Sequence, residues 1–316
     1  MTRSSLAWSL VVVCWASAGA VPAGAGPRQA APPSAGTRHL YISALDKKGE
    51  PVAGLTAKDV TVREDGVTRD VLGVQTATAP LAIALLVDDT GPGIRFIREG
   101  VGAFMQRLGG LAEMALISTG GRNTTIVEFT RRLDVLYQGV RQLSTRTTTG
   151  AYLLDGVHDA IGALNEREPE RPVIVVLTLE GAEFSNLRAD RLLGELLRSG
   201  ASMHVVVLGK PTLKTMTSWN ELPSQSLREN LDENINRKKF LEDGSRQSGG
   251  RYEQVLADSG IPAAMIGLAE ELASQYMVVY SRPDGSAPPK KINVGSTRAG
   301  IKVRARTEMP KASGSK

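Results

Sequence analysis

Residues 80–93 read PLAIALLVDDTGPG, and the fold follows from this stretch. An unbroken apolar run over 81–87 ends in Asp88, Asp89, Thr90 and Gly91. A strand covered on both faces is apolar throughout rather than alternating, so this run predicts a central strand of a parallel sheet. Two carboxylates and a hydroxyl then fall where the strand leaves the sheet. In open α/β sheets ligands bind outside the carboxyl ends of the strands. The stretch therefore predicts both a fold and a candidate cation site.

Downstream, strand and helix patterns alternate. Ile94, Ile97, Val101, Phe104, Met105 and Leu108 mark one helix face. Residues 114–117 form a short buried strand, and 124–130 a strand that is antiparallel at an edge. Leu154, Val157, Ile161 and Leu164 mark a second helix, 173–177 a second strongly buried strand. Leu192, Leu193, Leu196 and Leu197 mark a helix ending near Gly200, followed by a strand at 204–208. Residues 211–235 are polar and irregular, and 237–248 are helical. A stripe of Met265, Leu268, Leu272 and Tyr276 precedes 277–280, which closes the sheet. This rhythm predicts an α/β fold over 80–280, a mainly parallel sheet with helices on both faces.

The flanks are different. Residues 38–79 alternate in the β manner between turns at 46–50 and 65–66, and 281–309 hold two strands around a Gly-rich turn. Each is too short to bury a core alone, so the two are expected to pair into one small β-sandwich. Residues 1–20 have the form of a signal peptide: Arg3, a short apolar run, then Ala18-Gly19-Ala20, with Ala23-Gly24-Ala25 as a second cleavage candidate. Cys14 is the only cysteine and follows Val13, a poor lipoprotein signal. Residues 21–37 are a flexible Ala/Pro/Gly linker, and 310–316 a disordered tail.

Aromatic residues make up 4%, so the core must be aliphatic. The net charge of +5 is small and dispersed. Its short clusters, Arg237-Lys238-Lys239 and Lys290-Lys291, are not interleaved with aromatics, which argues against nucleic acid. No segment after the first has the length of a membrane span. A chain cleaved at either candidate site holds no thiol nucleophile. His39, His158 and His204 are scattered, and the chain has no nucleophile elbow, phosphate loop or dinucleotide fingerprint. The pairs Gly120-Gly121 and Gly249-Gly250 read as turns, and Asp155 with Asp159 as a solvated helix face.

The α/β core resembles the von Willebrand factor type A (vWA) domain. The flanking stretches sharpen the resemblance to exported bacterial VWFA-related proteins, a group abundant in acidobacterial genomes: DKKGEPVAGLTAKDVTVREDG at 46–66, GGRY at 249–252, AEELASQY at 269–276 and IKVRAR at 301–306. The resemblance implies a metal-ion-dependent adhesion site, a Mg²⁺ clamp of oxygen ligands on three loops. Against that pattern, Asp88 keeps the first carboxylate, Thr90 keeps one hydroxyl, and Pro92 replaces a second. Ala151 stands at the second-loop Thr, with Thr149 two residues earlier. The third loop reads Thr178-Leu179-Glu180-Gly181, so its carboxylate, Glu180, arrives one residue late.

The candidate metal set is therefore Asp88, Thr90, Thr149 and Glu180, with Asp89, Gly91, Pro92 and Gly93 expected to meet a partner. The other reading makes Asp88 and Asp89 loop caps for backbone N–H groups, with no cofactor. The resemblance implies an exported, non-enzymatic protein that binds an unidentified protein partner, in the periplasm or outside the cell. Its contact surface would be residues 88–93, 147–151 and 180–184, with specificity added by 211–235. A Mg²⁺-dependent adhesion or sensing module with altered ligands, and a hydrolase, are the alternatives.

Overall fold

The structure, a computed structural model, describes residues 35–90, 93–145, 150–209 and 225–308. The expected signal peptide, most of the linker, the tail, Gly91, Pro92 and Thr149 lie outside the described residues.

The chain opens with β1 (Ala35–Leu45), β2 (Val60–Glu64), β3 (Val67–Arg69) and β4 (Val71–Thr76). The α/β part follows: β5 (Leu81–Val87), α1 (Ile94–Arg107), β6 (Ala112–Ser118), β7 (Thr124–Thr130), α2 (Leu133–Gln142), β8 (Gly150–Ala151), α3 (Leu153–Arg167) and β9 (Arg171–Leu179). It continues with β10 (Ala182–Glu183), α4 (Ala189–Ser199), β11 (Ser202–Leu208), α5 (Gln225–Ser248), β12 (Tyr252–Val255) and α6 (Ile261–Ala273). Three strands end the described chain: β13 (Tyr276–Pro283), β14 (Ile292–Ser296) and β15 (Lys302–Arg304).

The central sheet has six strands in the order β12-β11-β9-β5-β6-β7. Only β7 runs antiparallel to its neighbour. Counted in chain order from β7, this is the doubly wound 3-2-1-4-5-6 arrangement. Every residue of β5 is buried. Its alternate side chains feed two cores, as the two-residue period of a strand requires. Leu81, Ile83, Leu85 and Val87 meet α1, α2 and α6, whereas Ala82, Ala84 and Leu86 meet α3, α4 and α5. The strand order reverses between β5 and β9, so a crevice opens beyond their carboxyl ends.

The two flanks form the expected pair of antiparallel sheets, β15-β1-β13-β4 and β14-β2-β3. They enclose Leu40, Ile42, Leu55, Val60, Val62, Tyr276, Val278, Tyr280 and Ile292. Inside, the Tyr280 hydroxyl donates to Glu64 Oε1 at 2.9 Å, and Glu64 pairs with Arg69 and Arg282.

Four expectations are corrected. Residues 277–280 do not close the parallel sheet. They lie in β13, which pairs antiparallel with β1 and β4, and the sixth parallel strand is β12. The reason is visible in β13: its burial alternates strictly, so one face is covered, whereas a parallel strand here needs two covered faces. Tyr276 accordingly sits in that strand and not on the α6 stripe. The linker ends earlier than residue 37, because Ala35 already pairs with Pro283. Residues 225–235 are helical, the first turns of α5; the apolar stripe becomes legible only at Phe240 and Leu241, which reach the core. Helix α2 was not expected, since only Leu136, Gly139 and Val140 are buried on it.

His204 lies in β11 with no exposure, and neither ring nitrogen has a hydrogen-bond partner among the described residues. Burial pulls its imidazole down to about 4, against a smaller opposing pull from Glu271. The unfolded chain thus binds a proton below pH 6.5 that the folded chain refuses, so this group's contribution to stability is intact above pH 6.5 and is lost as pH falls toward 4. The expected loss is about 3 kcal/mol over that window. Urea unfolding of His204→Leu at pH 7 and pH 4 should show a shallower acid decline than wild type; an equal decline would assign the acid sensitivity to other groups.

Candidate functional site

The crevice is built from the ends of β5, β6 and β9. Asp88 follows β5 directly and is 3% exposed. Its Oδ1 accepts from Thr90 N at 3.1 Å and Thr90 Oγ1 at 2.7 Å. Its Oδ2 accepts from Thr178 Oγ1 at 3.1 Å and Leu179 N at 3.3 Å. One carboxylate therefore ties the first loop to the end of β9. Asp89 is fully buried, and its Oδ1 accepts from Ser118 Oγ at 2.8 Å at the end of β6. Gly93 begins α1 at a φ of 88°.

The second and third loops are drawn together by β8 and β10, which pair in parallel. Phe184 N donates to Ala151 O at 2.9 Å, and the rings of Tyr152 and Phe184 lie 6.0 Å apart. Beside them is a cavity of about 870 Å³ lined by Tyr152, Asp155, Phe184, Asn186 and Leu187 with neighbours from 121–123.

The sequence reading missed the pair that clasps these loops. Arg237 of α5 and Glu183 of β10 are both buried, with Nε 3.3 Å from Oε2. Among the described residues neither of those two atoms has a well-aligned hydrogen bond, so the contact is chiefly Coulombic. Arg237 Nη2 donates to Thr178 Oγ1 and, at 2.8 Å, to Leu179 O; Nη1 donates to Gly181 O at 3.1 Å. Glu183 Oε1 accepts from Ser185 N at 3.2 Å and from Leu154 N, the start of α3, at 3.4 Å. Burial pushes the Glu183 carboxyl above its ordinary range, opposed by Ser185 and by Arg237. Asp88, Thr178, Arg237, Glu183 and Leu154 thus form one chain of contacts across all three loops.

A signal for this existed. Arg237 stands in a basic cluster with Lys238 and Lys239, but it sits three and four residues before Phe240 and Leu241, on their inward face.

The expected metal residues are only partly assembled. Asp88 and Thr90 touch. Glu180 accepts from Gln254 Nε2 at 3.0 Å, held from the β12 side. Thr149 lies outside the described residues, as do Gly91 and Pro92. Among the described residues no group of three or more His, Cys, Asp or Glu is placed to hold a metal ion. The oxygens of the described residues do not by themselves fit Mg²⁺, which requires near-octahedral oxygen ligation. Both Asp88 oxygens are engaged by four donors, and the third-loop carbonyls of Leu179 and Gly181 face a guanidinium.

No protein-family model and no curated protein matches the chain. Its structure is similar to von Willebrand factor type A from Catenulispora acidiphila, at 9% identity over 90% of this chain and 76% of that one, with a TM-score of 0.45. It is similar to the vWF domain of the type V pili tip protein Mfa5 from Porphyromonas gingivalis, at 11% identity over 62% and 96%, with a TM-score of 0.45. It is also similar to proximal thread matrix protein 1 from the mussel byssus with a zinc-occupied MIDAS motif, at 12% identity over 66% and 49%, with a TM-score of 0.47. The chain spans about half the length of that mussel protein. The sheet itself sets the class, a doubly wound α/β domain with one reversed edge strand. Beside it the chain carries two antiparallel sheets that form a sandwich.

Proposed function

We propose that this is an exported, non-enzymatic vWA protein that binds a protein partner through the loops above the sheet, with no resident metal. The observation that carries its metal-free part is the guanidinium of Arg237, which joins Thr178, the carbonyls of Leu179 and Gly181, and Glu183. Export rests on the signal-like residues 1–20, and N-terminal sequencing of the secreted protein should begin after Ala20 or Ala25. Among the described residues no helix is long and apolar enough to cross a membrane.

The contact residues differ from those first expected. Asp89 has no exposure, so its part is to anchor the first loop to β6. Phe184, 37% exposed beside Tyr152 and the adjoining cavity, offers an aromatic anchor of the kind that dominates protein interfaces.

Affinity capture with the secreted protein tests this. Phe184→Asp should weaken partner retention by about tenfold or more, the size of a lost interface anchor. Chelator should leave retention unchanged. Retention that requires Mg²⁺ and is lost in Asp88→Ala would establish the metal-dependent reading instead.

A further inference from the structure

At the opposite end of the central sheet, beside the first residues of β9 and β11, lies a cavity of about 510 Å³. Arg38, Arg171, Ser202, Ser248 and Arg306 contribute to its wall. Both terminal nitrogens of Arg171 are occupied, donating to Ala79 O at 2.8 Å, Leu272 O at 3.2 Å and Gln275 Oε1 at 2.8 Å, and only its Nε has no hydrogen-bond partner among the described residues. The one carboxylate in the wall, Glu170, accepts from the Tyr41 hydroxyl.

Arg306 is different. Its Nε and Nη2 are buried and have no hydrogen-bond partner among the described residues. Burial alone pulls its guanidinium down to about 10, with no carboxylate contributing. A buried charge is stable only when it is paired, and a guanidinium presents a planar fork matched to an oxyanion.

The geometry points to a binding site for a small oxyanion in this cavity, the phosphate or carboxylate group of a ligand, held by Arg306 with Arg38 at the wall. The site is independent of the partner surface above the sheet, at the other end of the strands, and its test needs no partner.

The full secreted chain is melted in sodium chloride, phosphate and acetate at matched ionic strength and pH. A saturating oxyanion should raise the wild-type midpoint by roughly 2–4 °C over chloride, the shift of a modest ligand on a domain of this size. Arg306→Met should abolish that rise, and Arg132→Ala, an exposed arginine paired with Asp134, should keep it. In chloride alone Arg306→Met should melt at or above wild type, because it removes a guanidinium whose buried Nε and Nη2 have no partner among the described residues. A rise with phosphate only assigns a phosphate group, and a rise with acetate only a carboxylate. The inference is overturned if neither anion acts on wild type, or if Arg306→Met keeps the same rise, which is a general salt effect. Marked destabilisation of Arg306→Met in chloride also overturns it, because the guanidinium would then have a partner within the chain.

Discussion

Asp88→Ala is expected to lower the free energy of unfolding by about 4 kcal/mol, in chelator as much as in Mg²⁺. The change removes the common acceptor of Thr90 N, Thr90 Oγ1, Thr178 Oγ1 and Leu179 N. The carboxylate is 3% exposed, so water cannot replace it without opening the crevice. Donors left buried cost roughly 1–3 kcal/mol each, reduced here by whatever relaxation the loops allow. Denaturant unfolding of wild type and variant, with and without Mg²⁺, measures the loss. A loss below about 1 kcal/mol would show that the donors find other acceptors, and a loss confined to Mg²⁺ buffer would make Asp88 a metal ligand rather than a loop tie.

The second large effect is expected at Gly250. A methyl group there would sit 1.9 Å from Met203 O and 2.6 Å from Met203 C, both backbone atoms of β11 that cannot swing away. Gly249 before it has a φ of 86°, and Gly250 N donates to Ser245 O at 2.7 Å, closing the end of α5. Gly250→Ala must therefore push the helix end off the central sheet. We expect a loss of more than about 4 kcal/mol, the range of severe overpacking combined with a broken cap, or no soluble protein. Gly162→Ala is the control. Beyond its chain neighbours and its own helix backbone, no atom of the described residues lies within 4 Å of the added methyl, and the site is inside α3, so stability should hold or rise by about 0.5–1 kcal/mol. If both variants melt alike, the close approach at Gly250 is not what holds the helix end.

The pair Gly249-Gly250 shows how far sequence reading goes. A turn was legible from the two glycines. That the second must also pass against the Met203 carbonyl was not, because residue 203 is distant in sequence and no local pattern names it. The same limit applies to the site. The acidic strand end was legible in residues 81–90, since a run buried on both faces must stop where the sheet stops. Two of the four donors that saturate Asp88 come from Thr178 and Leu179, some 90 residues away. Arg237 reaches Thr178 across 59 residues.

By itself, the sequence determined the apolar periods: a doubly covered strand at 81–87, the alternation of strand and helix after it, and two β flanks each too small to stand alone. Those are local consequences of how many faces of an element are buried. Tertiary structure alone decided which strands are neighbours, moving 276–283 out of the parallel sheet and into the sandwich. It also decided what each charge means: Asp89 a buried anchor, Arg237 a clasp and not surface charge, Arg306 a cation facing a cavity with two nitrogens unpartnered among the described residues. The physical reason is common to all three. Burial pattern is written along the chain, whereas the energy of a charge depends on the groups that folding brings within a few ångströms of it.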